Sequence, residues 1–124
     1  MEAGEESAER LYQQALGGTF RMDVACAREC AANFLRFADA LDPQIAHVTA
    51  AATPSGFGAF PSSAQLRTGF AAKATELTTT LSTLQLSATR MAAAYLLAAG
   101  LIQHSDTTHS RALLAARAGL DSPS

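Results

Sequence analysis

The chain has 124 residues, 48% of them apolar, and a formal net charge of −2 at pH 7. This length favours a single domain. The arginines are scattered without forming a basic cluster, which argues against a nucleic-acid-binding surface. Alanine fills 28 positions and tryptophan none. Because alanine favours helix but buries little area, the composition predicts an all-α protein with a thin core that favours a partner chain.

The first element is an acidic segment, residues 1–18, in which we predict a short helix over about Glu5 to Leu16 that two glycines close. An acidic start without a following apolar run is unlike a secretory signal peptide. The longest apolar run, Met91 to Ile102, is too short to cross a bilayer as a helix. We therefore expect a cytoplasmic protein that does not insert into membranes.

A first long helix is predicted over about 23–52, with Asp23 as its N-cap. Its apolar residues recur at alternating steps of three and four, the spacing of a coiled-coil seam. The pattern continues on both sides of Pro43, so we expect a kink there and not an end. The seam of this helix consists of Val24, Ala27, Ala31, Phe34, Ala38, Leu41, Ile45 and Val48.

Two cysteines, Cys26 and Cys30, lie four residues apart on this helix. A disulfide within one helix at this spacing would be strained. A metal site would need further ligands, and the nearest histidine, His47, is more than four helical turns away. We interpret the pair as two small thiols in or near the core.

The connection between the long helices, residues 53–61, holds two of the six phenylalanines within the stretch GFGAFPSSAQL. Its glycines allow backbone angles that other residues avoid. Two roles are open for its aromatic rings: a hydrophobic plug over the tip of a hairpin, or a docking site for another chain. The candidate turn motif consists of Gly56, Phe57, Gly58 and Phe60.

A second long helix is predicted over about 62–103, with Ser62 and Gln65 forming a capping box at its start. Two long helices joined by a short connection predict an antiparallel helical hairpin over residues 19–106. Residues 107–124 are predicted to form a short helix and a tail. The pairing seam that we expect from both long helices includes Val24, Phe34, Leu41, Leu77, Leu81, Leu84, Met91 and Tyr95.

The segment Met91 to Ile102 is apolar on all sides. Helices of this kind are buried against several neighbours, whereas the first long helix can cover only one stripe. Either the terminal helices or another chain must cover the rest. We expect another chain, so that two hairpins form a four-helix bundle as a dimer.

Residues that could carry catalysis are few. A polar cluster, HSDTTH, contains His104, Asp106 and His109, and we interpret it as a solvated linker between helices. The sequence contains no HExxH metal motif, no phosphate-binding loop and no GxSxG nucleophile motif. We therefore predict a protein that is not an enzyme and needs no metal or cofactor.

A hairpin of about 100 residues with glycine and phenylalanine in its turn resembles the small proteins of actinobacterial type VII (ESX) secretion, the WXG-type and EspC-like proteins. The likeness covers roughly Phe20 to Asp106 and depends most on GFGAFPSSAQLRTGF. The family's turn carries Trp-x-Gly, for which Phe57 stands as the aromatic residue here. The family's tail signal is Tyr-x-x-x-Asp/Glu, in which Tyr95 matches the tyrosine while Ala99 occupies the acidic position.

This resemblance implies a non-catalytic, secretion-associated protein, either a substrate or the pairing partner of one. Family members commonly pair as heterodimers in which one chain carries the turn motif and the other the tail signal. The implied partners are another small helical-hairpin protein and the secretion machinery, and the implied export route needs no signal peptide. The alternative is a homodimeric helical scaffold or adaptor that is not exported.

Overall fold

The structure, a computed structural model, describes residues 2–52, 62–104 and 110–120, with side chains from residue 4 onward. Within these ranges the chain is helical and contains no strand, which confirms the predicted all-α class. The helices are α1 (Glu2–Leu16), α2 (Val24–Ala51), α3 (Ser63–Ala98) and α4 (Arg111–Ala118).

The start of α2 follows directly from its sequence. The Asp23 carboxylate accepts a hydrogen bond of 2.9 Å from the backbone N–H of Cys26, which confirms the predicted N-cap. The helix continues through Pro43, as expected. Proline has no N–H, so the carbonyl of Asp39 lacks its helical donor. The neighbouring carbonyl of Ala38 accepts a hydrogen bond of 2.7 Å from Gln85 of α3, so α3 supports α2 beside the proline.

The start of α3 lies where the sequence places it, but the predicted capping box is wrong. The Ser62 side chain makes no capping hydrogen bond, and its backbone is already helical, with φ −78° and ψ −14°. A capping residue normally has an extended backbone, which aims its side-chain oxygen at the exposed N–H groups of the first turn. The helical angles of Ser62 therefore remove the geometry that the Ser62–Gln65 pattern requires.

The end of α3 comes at Ala98 and not near residue 103, as we predicted. Gly100 adopts a positive φ of 73°, a conformation that glycine allows without steric cost. Its N–H donates a hydrogen bond of 3.0 Å to the carbonyl of Leu97, and the N–H of Leu101 donates one of 2.8 Å to the carbonyl of Leu96. This is a Schellman turn, and beyond it Ile102 is buried in the core.

The two long helices pack side by side in opposite directions. Phe34 of α2 contacts Tyr95 of α3, with ring centroids 5.7 Å apart, whereas Ala38, further along α2, contacts Gln85, which lies earlier on α3. Alanines are prominent among the buried residues of both helices, and a small side chain lets helix axes approach closely. Those with no exposed surface are Ala27, Ala31 and Ala38 on α2 and Ala92, Ala93 and Ala94 on α3.

Each helix also contributes one large side chain that is almost completely buried: Tyr12 from α1, Leu35 from α2, Leu96 from α3 and Leu114 from α4. These four belong to a single cluster with the alanines around them. The short terminal helices are therefore part of the core and complete a four-helix arrangement within one chain.

This arrangement corrects the expectation that another chain must bury Met91 to Ile102. Leu96 and Ile102 pack in one cluster with Tyr12 of α1 and Leu114 of α4. The sequence left two possibilities for covering this segment, the terminal helices or another chain, and in the structure the terminal helices cover it. They can do so because α1 presents one large aromatic side chain, and α4 one leucine, to a surface made mostly of alanine.

We predict that Leu35→Ala lowers the free energy of unfolding by about 2–5 kcal/mol, the usual cost of a cavity at a fully buried leucine. Leu86→Ala is the matched control, because Leu86 is 70% exposed and should change stability by less than about 0.5 kcal/mol. Denaturant unfolding followed by circular dichroism measures both values. Equal effects at the two positions would contradict the described core.

Candidate functional site

The terminal helices cover only one end of the α2–α3 pair. Glu9 of α1 forms an ion pair of 3.1 Å with Arg90 of α3, and α4 begins beside Asp42 of α2, which Arg111 contacts. Past these points burial falls sharply. Residues 43–52 of the chain include no buried residue, and among residues 62–86 only Ser63 and Ala74 are buried. Within the part of the chain that the structure describes, the end next to the connection therefore lacks the helical cover that the other end has.

A continuous apolar surface lies in this uncovered part, and we call it the distal face. Phe70 and Leu77, both on α3, are 52% and 47% exposed. They line a groove of about 310 Å³ between the two helices, with His47 and Lys73 also on its walls. Large apolar side chains grouped on a surface mark interaction sites. The distal face consists of Val48, Ala51, Phe70, Ala74 and Leu77.

A second groove, of about 360 Å³, lies between α1 and α3. Glu5, Glu6, Glu9 and Arg90 are among its lining residues, together with the exposed Leu86. This lining is largely charged, and Arg90 is engaged both by Glu9 and by the Tyr12 ring, whose centroid lies 4.3 Å from the guanidinium carbon. It suits an apolar partner helix less well than the distal face does.

The predicted site residues lie in different parts of the molecule. The turn motif, Gly56, Phe57, Gly58 and Phe60, lies outside the described residues. Of the predicted pairing seam, Leu77 belongs to the distal face, while Val24 is 41% exposed at the opposite end of α2. Leu41 is buried, and the half-buried members are Phe34, Leu81, Leu84, Met91 and Tyr95.

Tyr95 is a packing residue within this chain. Its ring contacts Phe20 edge-on, with centroids 6.0 Å apart, and Phe34 on α2 at 5.7 Å. Burial raises the pKa of the Tyr95 hydroxyl, with a further contribution from the thiols of Cys30 and Cys26. The tyrosine that matches the family's tail signal is thus held among aromatic rings of its own chain.

The spacing of apolar residues explains what the sequence missed. Leu35, the largest fully buried residue of α2, lies one position beyond the seam residue Phe34. A seam of alternating threes and fours marks a narrow stripe, whereas α2 packs against both α3 and α4 and buries a broader one. The greater width of the apolar stripe around Ala31, Ala32 and Leu35 was the available signal.

A polar clamp marks the boundary between the covered core and the distal face. Arg111 of α4 donates to Asp39 at 2.7 Å and to both oxygens of Asp42 at 2.9 and 3.1 Å. Gln85 of α3 donates to the same Asp42 carboxylate at 2.8 Å. The hydrogen bonds from Arg111 and then Gln85 lower the pKa of Asp42. One carboxylate thus joins three helices.

In the parts of the chain that the structure describes, no three His, Cys, Asp or Glu residues are grouped so that they could hold a metal ion. His104 of the HSDTTH cluster lies 3.4 Å from the Tyr12 hydroxyl through its Nδ1 atom, while Asp106 and His109 lie outside the described residues. None of the described helices combines the length and apolar character needed to span a membrane.

Comparison with protein-family models, curated proteins and solved structures finds no match to this chain.

The clamp predicts a specific acid sensitivity. Because the pKa of Asp42 is lowered in the folded state, its contribution to stability is complete above the ordinary aspartate pKa of about 3.9 and is lost as the pH falls through the lowered value. Asp42→Asn should therefore reduce the loss of stability in acid, below about pH 4. Urea unfolding across this pH range measures the effect.

The control is Glu76→Gln, since Glu76 is an exposed carboxylate whose ion pair with Lys73 measures 3.5 Å. It should leave the acid dependence close to that of the parent. An Asp42→Asn protein with the parent's full acid dependence would show that the clamp does not form.

Proposed function

We propose that this protein is a non-catalytic pairing protein of the type VII secretion class, in which α2, the connection and α3 form a helical hairpin. Its distal face binds the hairpin of another small helical protein, and the four long helices form a bundle there. The observation that carries the proposal is the scarcity of buried residues beyond Asp42 on α2 and before Ser87 on α3, where only Ser63 and Ala74 are buried and large apolar side chains nevertheless continue.

The covered half of the molecule indicates what the α2–α3 pair requires. There, α1 and α4 supply two further helices, and the apolar residues of α3 become buried. The distal half has the same two long helices without those neighbours. A partner hairpin consists of two antiparallel helices joined by one turn. It can therefore take, in the distal half, the places that α1 and α4 take in the covered half.

The dimensions of the distal half suit such a partner. Residues 63–86 of α3 precede the covered region, a length of about 36 Å at about 1.5 Å per residue. Helices of this length pack along one another through side chains at steps of three and four. Leu66, Phe70, Ala74 and Leu77 follow those steps, and Leu66 is 58% exposed.

The position of Tyr95 supports a heterodimer over a chain that carries its own export signal. Tyr95 is packed between Phe20 and Phe34, and Ala99 occupies the place of the family's acidic residue. In the type VII secretion proteins that this chain resembles, one member of a pair carries the turn motif and the other carries the tail signal. This chain then takes the first role, and its partner provides the tail signal for both.

The pairing is tested by co-expression with the small helical proteins encoded beside its gene, followed by size exclusion with light scattering. We expect a complex of one chain with one partner. Phe70→Asp should abolish the complex, because a charge placed in the interface would be buried unpaired. The circular dichroism of the isolated variant should still be that of a folded helical protein, since Phe70 lies outside the buried core. Leu86→Asp is the matched control, since its exposed side chain lies outside the distal face.

Three results would overturn this proposal. The first is a stable monomer with no partner in co-purification. The second is a complex that survives Phe70→Asp but not Leu86→Asp. The third is a homodimer of the isolated chain that depends on Phe70, which would establish the alternative function, a helical scaffold that pairs with itself by means of the same face.

Export is a separate prediction. In a host with an active type VII secretion ATPase, we expect the tagged chain in the culture filtrate only when its partner is present. Phe70→Asp should retain the chain inside the cell, because pairing provides the missing tail signal. Inactivation of the ATPase is the control. Export of the unpaired chain, or export that continues without the ATPase, would contradict the secretion class while leaving the pairing result intact.

A further inference from the structure

The groove between α1 and α3 differs in chemistry from the distal face. Its volume is about 360 Å³, and three carboxylates, one guanidinium and an exposed leucine border it. Its first residue on α3 lies more than two helical turns beyond Leu77, the last residue of the distal face. We call it the acidic groove, and the residues that define it are Glu5, Glu6, Glu9, Leu86, Ser87 and Arg90.

The carboxylates of the acidic groove differ in how they are engaged. Glu9 forms an ion pair of 3.1 Å with Arg90. The Arg90 guanidinium also lies over the Tyr12 ring, 4.3 Å from its centroid, so its own chain already holds it. In the part of the chain that the structure describes, Glu5 and Glu6 form no ion pair. The groove therefore presents two carboxylates whose charge no cation of the described chain offsets.

Two further side chains of the groove lack the contacts that their types normally make. Leu86 is 70% exposed, the highest value among the exposed large apolar residues. Ser87 is only 9% exposed, and its hydroxyl oxygen is buried with no hydrogen-bond partner among the described residues. Buried polar atoms without a partner are uncommon in folded proteins. Acidic residues near a helix start stabilise the helix dipole, but that contribution accounts for neither the leucine nor the serine.

The space beside Leu86 is large enough for more than a small ion. Leu86 and Arg90 also line an adjoining hollow of about 370 Å³, together with Thr89 and Ala93. A groove between two helices takes a third helix by packing its side chains between theirs. An occupant of this kind needs cations for the carboxylates and an apolar residue for Leu86.

We propose that the acidic groove binds a basic amphipathic helix of a partner protein. Arginines of that helix pair with Glu5 and Glu6, since a guanidinium matches a carboxylate with two parallel hydrogen bonds. A leucine of the same helix packs against Leu86, and a donor from it satisfies the Ser87 hydroxyl. The same carboxylates repel phosphates, so nucleic acids and anionic membranes do not fit the groove. The site is independent of pairing on the distal face.

A synthetic peptide of about four helical turns, with arginines on one face, leucines on the other and a single tryptophan, tests the site. The chain contains no tryptophan, so the peptide's emission and its anisotropy report binding directly. We expect one peptide per full chain, bound with an affinity that falls as the salt concentration rises. A control peptide with glutamate in place of every arginine should not bind.

Three variants of the chain test the three contacts. Glu5→Gln combined with Glu6→Gln should weaken binding about tenfold, the scale of two exposed ion pairs. Leu86→Ala should weaken it by a similar factor, because less apolar area is then buried with the peptide. Ser87→Ala should weaken it about threefold, since it removes one hydrogen-bond partner. Circular dichroism of each variant should match the parent, which separates loss of the site from loss of the fold.

The matched controls lie on α3 outside the groove. Glu76→Gln removes an exposed carboxylate and Leu66→Ala an exposed leucine, and both should retain the parent's affinity for the arginine peptide. Phe70→Asp should retain it too, so failure of this site and failure of pairing on the distal face are distinguishable. The proposal is overturned by equal binding of the glutamate peptide, by loss of binding in Phe70→Asp, or by unchanged affinity in any of the three groove variants.

Discussion

The small size of the side chains that α2 and α3 bury is the constraint on which the rest of this structure depends. Six alanines on the two helices are fully buried, and because alanine contributes little area, the pair cannot bury a large apolar area on its own. Additional area must come from other helices. Tyr12 and Leu114 provide it in one half of the molecule. The two long helices alone do not complete the core, so the short terminal helices are necessary to it.

Much of the helical layout could be predicted from local signals, because caps and breakers act over a few residues. Asp23 and the apolar periodicity placed α2, and its passage through Pro43 followed from the seam on both sides. Tertiary choices were harder. The sequence showed that Met91 to Ile102 must be covered, but its periodicity is the same whether the covering helix belongs to this chain or to another. The Gly100 turn was also hidden within an apolar run that matches a longer helix.

The candidate site was predicted in part, and the reason is again physical. Phe70 and Leu77 follow the seam that the sequence shows. A seam identifies apolar residues that favour packing against another helix, but it does not show which of them are already buried within the chain. Burial separates the two groups: Leu41 is satisfied within the chain, while Leu77 is 47% exposed.

The burial gradient along α2 and α3 also means that the stability of this fold is uneven. Turns held by the cluster around Leu35 and Leu96 open only with the whole molecule, whereas turns beyond the Arg111 clamp have few buried contacts and open locally at lower free energy. The helical turns in that half are therefore expected to open more readily than those of the core. A protein that binds there removes those local openings while leaving global unfolding to the core. Binding and ordering are then a single event at one end of an otherwise rigid molecule.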